Sequence, residues 1–121
     1  EKRVHFKKYS REIHKELKNS TLFLLPSEKE SFGLSALEAI SSGVPVISTN
    51  VGGLTEIVVD GETGFVSELG DIKKMSDDCI KLMLDNDLYF RIKNSCVKHS
   101  IKYSISKVVP QYIKIYRELL K

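Results

Sequence analysis

The chain has 121 residues, and its 19 Lys and Arg against 16 Asp and Glu give a formal net charge of +3. This length allows one domain, and no apolar run approaches the roughly 18 residues that suggest a membrane span. We therefore expect no stable membrane insertion, and we find no secretory apolar region. Cys79 and Cys96 lack the spacing of a metal or redox pair, which predicts reduced core cysteines in a cytoplasmic protein.

The basic side chains are unevenly distributed along the chain. Residues 91–121 hold eight Lys and Arg, whereas Glu118 is the only acidic residue there. Such a stretch suits nucleic acid, an anionic membrane surface or an acidic ligand, but it also suits solvated helix faces. No nucleic-acid motif accompanies it, so we favour solvated faces and expect no nucleic-acid partner.

The first half of the chain alternates predicted strands and helices. Three short apolar runs predict strands: RVHF at residues 3–6, TLFLL at 21–25 and VPVIS at 44–48. The continuous apolar character of TLFLL predicts a strand buried on both faces. Residues 10–19 predict a helix with apolar side chains along one face, and residues 33–42 predict a short helix ended by a glycine.

The second half is mainly helical. The pair FV at residues 65–66 predicts a last short strand between the turn DGETG and a helix over residues 72–82. Further helices are predicted over residues 88–101 and from Ser106 onward, with Pro110 near the first turn, where proline is tolerated. The last helix carries an apolar stripe of Val109, Tyr112, Ile113, Tyr116 and Leu120. We interpret this stripe as core.

Strands that alternate with helices predict an α/β fold with a parallel sheet, about four strands and right-handed crossovers. Ligands of such sheets bind beyond the carboxyl ends of the strands. Two connections leave those ends with polar and glycine residues, namely residues 26–33 and residues 49–56. We therefore expect a cleft where these two connections meet.

Residues 26–33 lead into a helix whose first backbone N–H groups have no partner within the helix. Those donors and the helix dipole attract an anion such as a phosphate, and Gly33 lets a ligand approach the backbone closely. Glu30 precedes the helix, and Glu38 lies about two turns along it, where it can accept hydrogen bonds from two ribose hydroxyls. The spacing alone leaves two interpretations open: a nucleotide-sugar site, or an electrostatic helix cap and a surface glutamate.

A resemblance to a known family favours the first interpretation. The segment PSEKESFGLSALEAISSGVPVISTNVGGLTEIVVDGETGFVSELGD resembles the C-terminal half of retaining glycosyltransferases of family 4, which have two Rossmann-like domains, the GT-B fold. Their mark is a pair of glutamates eight positions apart, here Glu30 and Glu38, with Phe32, Gly33 and Leu34 between them. LEA, GVPVI, GG and DGETGF follow in the family's order, and the resemblance extends over nearly all 121 residues.

The resemblance implies a role for each residue of this motif. Glu30 is expected to be catalytic, contacting the donor sugar and stabilising positive charge at its anomeric carbon. Ser31, Phe32, Gly33 and Leu34 are expected to bind the donor sugar and diphosphate, mainly through their backbone. Glu38 is expected to bind the nucleotide ribose. Transfer retains the anomeric configuration in the family, and we expect no metal and no cofactor.

Two shorter stretches indicate which members of the family this chain resembles most. SEKESFGL and VVPQYIKIYRELL are most similar to members that transfer N-acetylglucosamine from UDP-N-acetylglucosamine to L-malate in bacillithiol synthesis. The expected partners are therefore this nucleotide sugar and a small-molecule or glycan acceptor. Three alternatives stay open: a family 4 enzyme acting on a glycan or lipid of the cell envelope, a sugar epimerase of the same fold, and a nucleotide-binding module without catalysis.

The resemblance also indicates what this chain lacks. The family's Arg and Lys that clamp the diphosphate precede the segment matching RVHF, and neither Lys2 nor Arg3 stands in that context. We therefore expect residues 1–121 to be a partial C-terminal nucleotide-sugar-binding domain, with the N-terminal acceptor domain and the start of this domain absent. Apolar surfaces left without their neighbours predict that the fragment self-associates.

Several other polar residues receive plainer interpretations. His5, His14 and His99 are isolated, which predicts ordinary surface or core packing. Thr55 and Glu56 predict the start of a helix, and Asp60, Gly61 and Gly64 predict turns. For Asn50, Gly52 and Gly53 we predict a turn after the strand, with a ligand contact left open. The ligand contact stays open because this loop faces the expected cleft.

Overall fold

The computed structural model describes residues 3–121, and within them it contains a three-stranded parallel sheet. The strands β1 (Phe23–Leu25), β2 (Val46–Thr49) and β3 (Gly64–Ser67) lie in the order β1-β2-β3. Phe23 pairs with Val46, and Val46 pairs with Gly64 on its other side. The expected α/β fold, a partial Rossmann-like parallel sheet with flanking helices, is confirmed.

Six α-helices surround or follow this sheet in the described part of the chain. They are α1 (Ile13–Lys18), α2 (Leu34–Ser41), α3 (Leu54–Ile57), α4 (Ile72–Leu84), α5 (Asn86–Ser100) and α6 (Ile105–Leu119), with a 3-10 helix at Ile101–Tyr103. Helix α2 connects β1 to β2, and α3 connects β2 to β3. No helix in residues 3–121 is long and apolar enough to cross a lipid bilayer.

The hydrophobic core lies around the central strand. All four residues of β2 are buried, as expected for a parallel strand that has a neighbour on each side and helices against the sheet. The largest fully buried apolar side chains are Ile40, Ile47, Leu54, Ile57, Leu82 and Ile92. They come from α2, β2, α3, α4 and α5, so one core joins the sheet to these helices.

The predicted strand RVHF is wrong. Residues 3–6 have no strand conformation, and their side chains are exposed. The sheet accordingly has three strands in the described residues, where we expected about four. An apolar run forms a strand only when a neighbouring strand satisfies its backbone groups, and none of residues 3–121 lies beside this run as a strand.

The prediction that TLFLL is buried on both faces is also wrong. Strand β1 is an edge of the sheet in the described residues, and Leu24 is 52% exposed. Its neighbours Phe23 and Leu25 are half-buried. One face of β1 therefore packs less completely than that of β2, because no helix of residues 3–121 covers Leu24.

The apolar stripe of α6 is not core, contrary to our interpretation. The helix has no buried residue, and Tyr112 and Tyr116 are 57% and 60% exposed. Pro110 is the sixth residue of α6 and lies inside the helix, past the first turn. The prediction for residues 10–19 is only partly right, because α1 covers Ile13–Lys18 and buries Leu17 alone.

The cysteines pack as predicted. Cys96 is fully buried, and its thiol donates a hydrogen bond to the carbonyl oxygen of Thr63 at 3.3 Å. Burial raises the pKa of Cys96 to about 12. Cys79 is half-buried, and neither cysteine forms a disulfide bond. Both side chains are therefore protonated packing groups at neutral pH.

Candidate functional site

The two connections that we expected to form a cleft lie together at the carboxyl edge of the sheet. The hydroxyl of Thr49 donates a hydrogen bond to the carbonyl oxygen of Ser27 at 2.5 Å. The backbone N–H of Gly53 donates to the carbonyl oxygen of Glu30 at 3.2 Å. The segment that precedes α2 is therefore supported by the turn that follows β2, at the edge where parallel sheets bind ligands.

Glu30 and Glu38 carry the carboxylates of the predicted motif, and both residues are half-buried. Among residues 3–121, neither carboxylate takes part in a side-chain hydrogen bond or an ion pair. Both can therefore accept hydrogen bonds from a hydroxylated ligand. The backbone of each residue is held, since Glu30 accepts from Gly53 and Glu38 accepts from Ser42 at 3.1 Å.

Helix α2 begins without a capping side chain. Its N-cap is Gly33, in the left-handed region at φ 93°, a conformation that favours glycine. By contrast, Asp71 and Asp85 cap α4 and α5, because their carboxylates accept hydrogen bonds from the backbone N–H groups of Lys74 and Leu88. The first N–H groups of α2 are thus open to an anion, and the helix dipole favours one there.

The other predicted binding residues lie at this helix start with different exposures. Ser31 is exposed, Phe32 is 44% exposed and Leu34 is 62% exposed. Gly33 is buried, and a Cβ added there would lie 2.7 Å from Cδ2 of Leu54. Glycine at position 33 is therefore favoured mainly by its backbone angle, because the nearest atom to an added Cβ is the end of the Leu54 side chain, which can shift.

Glu38 lies on the wall of a cavity between α2 and the junction of α5 with α6. The cavity has a volume of about 380 Å³. Its lining residues are Leu34, Leu37, Glu38, Ser41, Ser100, Ile101, Tyr103 and Ser104. Glu38 is the only ionisable carboxylate among these lining residues. The Glu38 side chain therefore lies at the accessible edge of α2 and not in the core.

A second polar cluster lies at the carboxyl end of β3. The amide of Asn50 donates to the carboxylate of Glu68 at 3.1 Å, and the Asp60 carboxylate accepts from the backbone N–H of Val66 at 2.8 Å. These contacts confirm the turn role predicted for Asp60. Thr55 lies in α3, as predicted for a helix start.

The histidines pack as predicted. His5 and His14 are exposed, whereas His99 is buried on α5. Burial lowers the pKa of His99, and the nearby Lys102 ammonium acts in the same direction. In the part of the chain that the structure describes, no three His, Cys, Asp or Glu side chains come together as metal ligands. The expectation of a metal-free reaction stays a prediction.

The sequence analysis missed Tyr103. Its hydroxyl donates to the carbonyl oxygen of Glu56 at 2.9 Å, and its ring lies edge-on to Phe32. A tyrosine between two predicted helices carries no local signal for such contacts. For Gly52 and Gly53 we predicted a turn and left a ligand contact open, whereas the structure places both glycines against the backbone of residues 30–32.

The fold and this edge define the C-terminal, Rossmann-like domain of a GT-B glycosyltransferase. The family model "Glycosyl transferases group 1" matches residues 1–99. The chain belongs to this family.

Individual relatives agree with this assignment. The chain is 42% identical over 104 residues to N-acetyl-alpha-D-glucosaminyl L-malate synthase of Bacillus anthracis, covering 84% of this chain and 27% of that enzyme. It is 37% identical over 105 residues to 2-deoxystreptamine N-acetyl-D-glucosaminyltransferase of Niallia circulans, covering 83% and 26%. The chain thus spans about a quarter of the length of these relatives.

A solved structure confirms the fold. The crystal structure of the C-terminal domain of the glycosyl transferase group 1 family protein LpcC from Francisella tularensis matches with a TM-score of 0.74 and 33% identity. The match covers 84% of this chain and 53% of that chain. The sheet and helices described above therefore correspond to a C-terminal domain of this family.

Proposed function

We propose that residues 1–121 are the donor-binding part of a retaining family 4 glycosyltransferase, active only as the full-length protein. The proposed reaction transfers N-acetylglucosamine from UDP-N-acetylglucosamine to the hydroxyl of L-malate. The observation that carries the proposal is the single edge of the sheet that joins Glu30, the uncapped start of α2 and Glu38. Donor identity is supported by two relatives whose names both specify N-acetylglucosamine transfer or its product.

Each part of this edge suits a different part of the donor. The first N–H groups of α2 and its dipole suit the diphosphate. The Glu38 carboxylate suits the two ribose hydroxyls, because it has acceptor sites without a protein partner. Glu30, in the segment before the helix, suits the sugar hydroxyls and the positive charge that develops at the anomeric carbon.

The proposed chemistry is a front-face displacement. The malate hydroxyl oxygen forms a bond to the anomeric carbon while the bond from that carbon to the β-phosphate oxygen breaks. The hydroxyl proton passes to the departing phosphate, and UDP leaves. Negative charge grows on the diphosphate in this step, so fixed N–H dipoles aimed at it lower the barrier.

The acceptor is the least constrained part of the proposal. The two relatives are named for different acceptors, L-malate and 2-deoxystreptamine, at 42% and 37% identity. Similar donor-binding domains therefore occur in enzymes named for different acceptors, and a glycan or lipid of the cell envelope stays the alternative to L-malate. A nucleotide-binding module without catalysis is the other alternative.

The test uses the full-length protein that carries this domain. UDP release is measured with UDP-N-acetylglucosamine and with UDP-glucose, each with L-malate, with 2-deoxystreptamine or with no acceptor. We expect malate-dependent UDP release with UDP-N-acetylglucosamine, and NMR of the product should show the α-configuration of the donor. If UDP release depends on a different acceptor, that acceptor replaces L-malate in the proposed reaction. A product with inverted anomeric configuration would refute retention. UDP binding without release under any condition would favour the module.

A further inference from the structure

The turn after β2 packs so closely against the segment before α2 that two of its positions leave no room for a Cβ. A Cβ added to Gly52 would lie 1.8 Å from the carbonyl oxygen of Glu30. A Cβ added to Gly53 would lie 2.4 Å from the carbonyl oxygen of Ser31 and 2.7 Å from Cα of Phe32. The atoms in the way belong to the backbone, so a small rotation of a side chain would not relieve either contact.

Other glycines of the chain show that this is not a general property of its turns. Gly52 has φ +49°, and Gly61 and Gly70 have φ +73° and +88°. A Cβ added to Gly61 or Gly70 would meet nothing within 4 Å. Those two glycines are therefore explained by backbone conformation alone, whereas Gly52 also faces a second segment of backbone.

We propose that Gly52 and Gly53 are positioning residues of the donor site. They hold the backbone of residues 30–32 by direct contact and through the hydrogen bond from Gly53 N–H to the Glu30 carbonyl oxygen, 3.2 Å long. This inference rests on the proposed function, because it gives residues 30–32 a ligand to be positioned for. Neither glycine needs to touch the donor itself.

The two close contacts predict different effects of substitution at the two glycines. The three atoms nearest to the Cβ of a residue at position 52 would all belong to the backbone of Glu30. The Cβ of a residue at position 53 would meet Ser31 and Phe32, whose backbone leads into the diphosphate-binding start of α2. Gly52 therefore positions the catalytic carboxylate, and Gly53 positions the diphosphate contact.

The experiment compares Gly52→Ala and Gly53→Ala with Gly61→Ala in the full-length protein. Gly61→Ala is the matched control for Gly52→Ala, because it also places a side chain at a positive φ but without a clash. We expect Gly52→Ala to lower kcat by about 100-fold, the effect of misplacing a reacting group by roughly 1 Å, with the Kd for UDP within about threefold of wild type. Gly53→Ala should weaken UDP binding as well as lower kcat, and Gly61→Ala should do neither.

Two results would overturn the inference. One is a kcat for Gly52→Ala equal to that of Gly61→Ala, and the other is a loss of UDP affinity in Gly52→Ala that matches its loss of kcat. If either result is obtained while the wild-type protein transfers the sugar normally, the positioning role fails and the proposed function stands. Wild-type protein that neither binds UDP nor releases it from a sugar donor would overturn the proposed function instead.

If Gly52→Ala does not fold, hydrogen exchange of the wild-type protein tests whether the turn holds the backbone of residues 30–32. The amide of Gly53 should exchange more slowly than that of Gly70, which donates no backbone hydrogen bond. Addition of UDP-N-acetylglucosamine should slow the Gly53 amide further. Equal exchange at Gly53 and Gly70, with and without the donor, would show that the turn does not hold the Glu30 segment.

Discussion

The ring of Tyr103 lies edge-on to the ring of Phe32, with their centroids 6.3 Å apart and their planes inclined by 76°. Tyr103 also contacts the ring of His99, at 5.7 Å between centroids, and hydrogen bonds to the backbone of Glu56. One side chain between α5 and α6 thus contacts the loop before α2 and the short helix α3. The candidate donor site is supported from a part of the chain 71 residues away in sequence.

This relationship predicts a graded effect of substitutions at Tyr103. Tyr103→Phe removes the hydrogen bond to Glu56 and should reduce the free energy of unfolding by about 1 kcal/mol. Tyr103→Ala also removes the aromatic pair with Phe32, worth roughly 0.5–1.5 kcal/mol beyond area burial, and should be clearly less stable than Tyr103→Phe. Denaturant unfolding of the full-length protein measures both. Equal stability of the two variants would show that the ring contact contributes nothing.

The two glutamates of the motif should have separable roles. Glu38→Gln removes charge-assisted acceptors worth roughly 1.5–3 kcal/mol, so UDP and UDP-sugars should bind about 10- to 100-fold more weakly. Glu30→Gln should mainly lower kcat and leave UDP affinity near that of wild type. Calorimetry with UDP and steady-state kinetics on the full-length protein measure the two effects. An equal loss of UDP affinity in both variants would refute this division.

Stability should fall when the protein is acidified through the titration of His99. The folded-state pKa of His99 is lowered, mainly by burial. Below the ordinary histidine pKa of about 6.5, the unfolded chain therefore binds a proton that the folded protein does not, and the free energy of unfolding decreases. Stability is fully retained above that pH. Glu62 and the backbone of Glu56 oppose the shift weakly.

Thermal unfolding between pH 8 and pH 5 checks this prediction. The melting temperature of wild type should drop more steeply below about pH 6.5 than that of His99→Phe, which keeps an aromatic ring but cannot titrate. His14→Phe, at an exposed histidine, is the control and should follow wild type. Parallel curves for wild type and His99→Phe would contradict the prediction.

The 121-residue chain alone should not catalyse transfer. Holding donor and acceptor in reacting geometry contributes roughly 7–11 kcal/mol to rate enhancement, and the resemblance assigns acceptor binding to the other domain. UDP release from UDP-N-acetylglucosamine, with or without L-malate, should therefore equal a protein-free blank. Malate-dependent turnover by the isolated chain would overturn the assignment of residues 1–121 as a partial domain.

The isolated chain should also self-associate. Apolar side chains along α6 are exposed, including Ile105 at 79% and Leu119 at 78%, and large apolar patches tend to find a partner. Strand β1 offers a second route, since in residues 3–121 it pairs only with β2. Light scattering should detect species larger than 13.7 kDa.

Substitutions distinguish the two routes. Ile113→Lys, on the apolar stripe, should reduce association, whereas Lys114→Glu, at the neighbouring basic position, should reduce it less. If association is an artefact of truncation, this contact should be missing from the full-length protein. A monomeric chain at tens of micromolar would refute the prediction.

Local sequence patterns were sufficient for much of the fold. The apolar run before Gly43 and the run after it indicated α2 and β2, and the structure places both within two residues of the predicted bounds. The position of Glu30 before α2 and of Glu38 within it followed from the same patterns. These features depend on residues that are close in the chain, so their periodicity and turn residues were visible in the sequence.

Contacts between distant segments decided the rest. Val4, Phe6 and the stripe of α6 are apolar, yet they are exposed, because burial needs a second layer that the described residues do not provide. Gly53 supports Glu30 from 23 positions away in the sequence, and Tyr103 supports Phe32 from 71 positions away. The sequence by itself determined most of the elements and the motif. Only the tertiary structure decided which surfaces meet, because an apolar side chain carries no information about which partner will cover it.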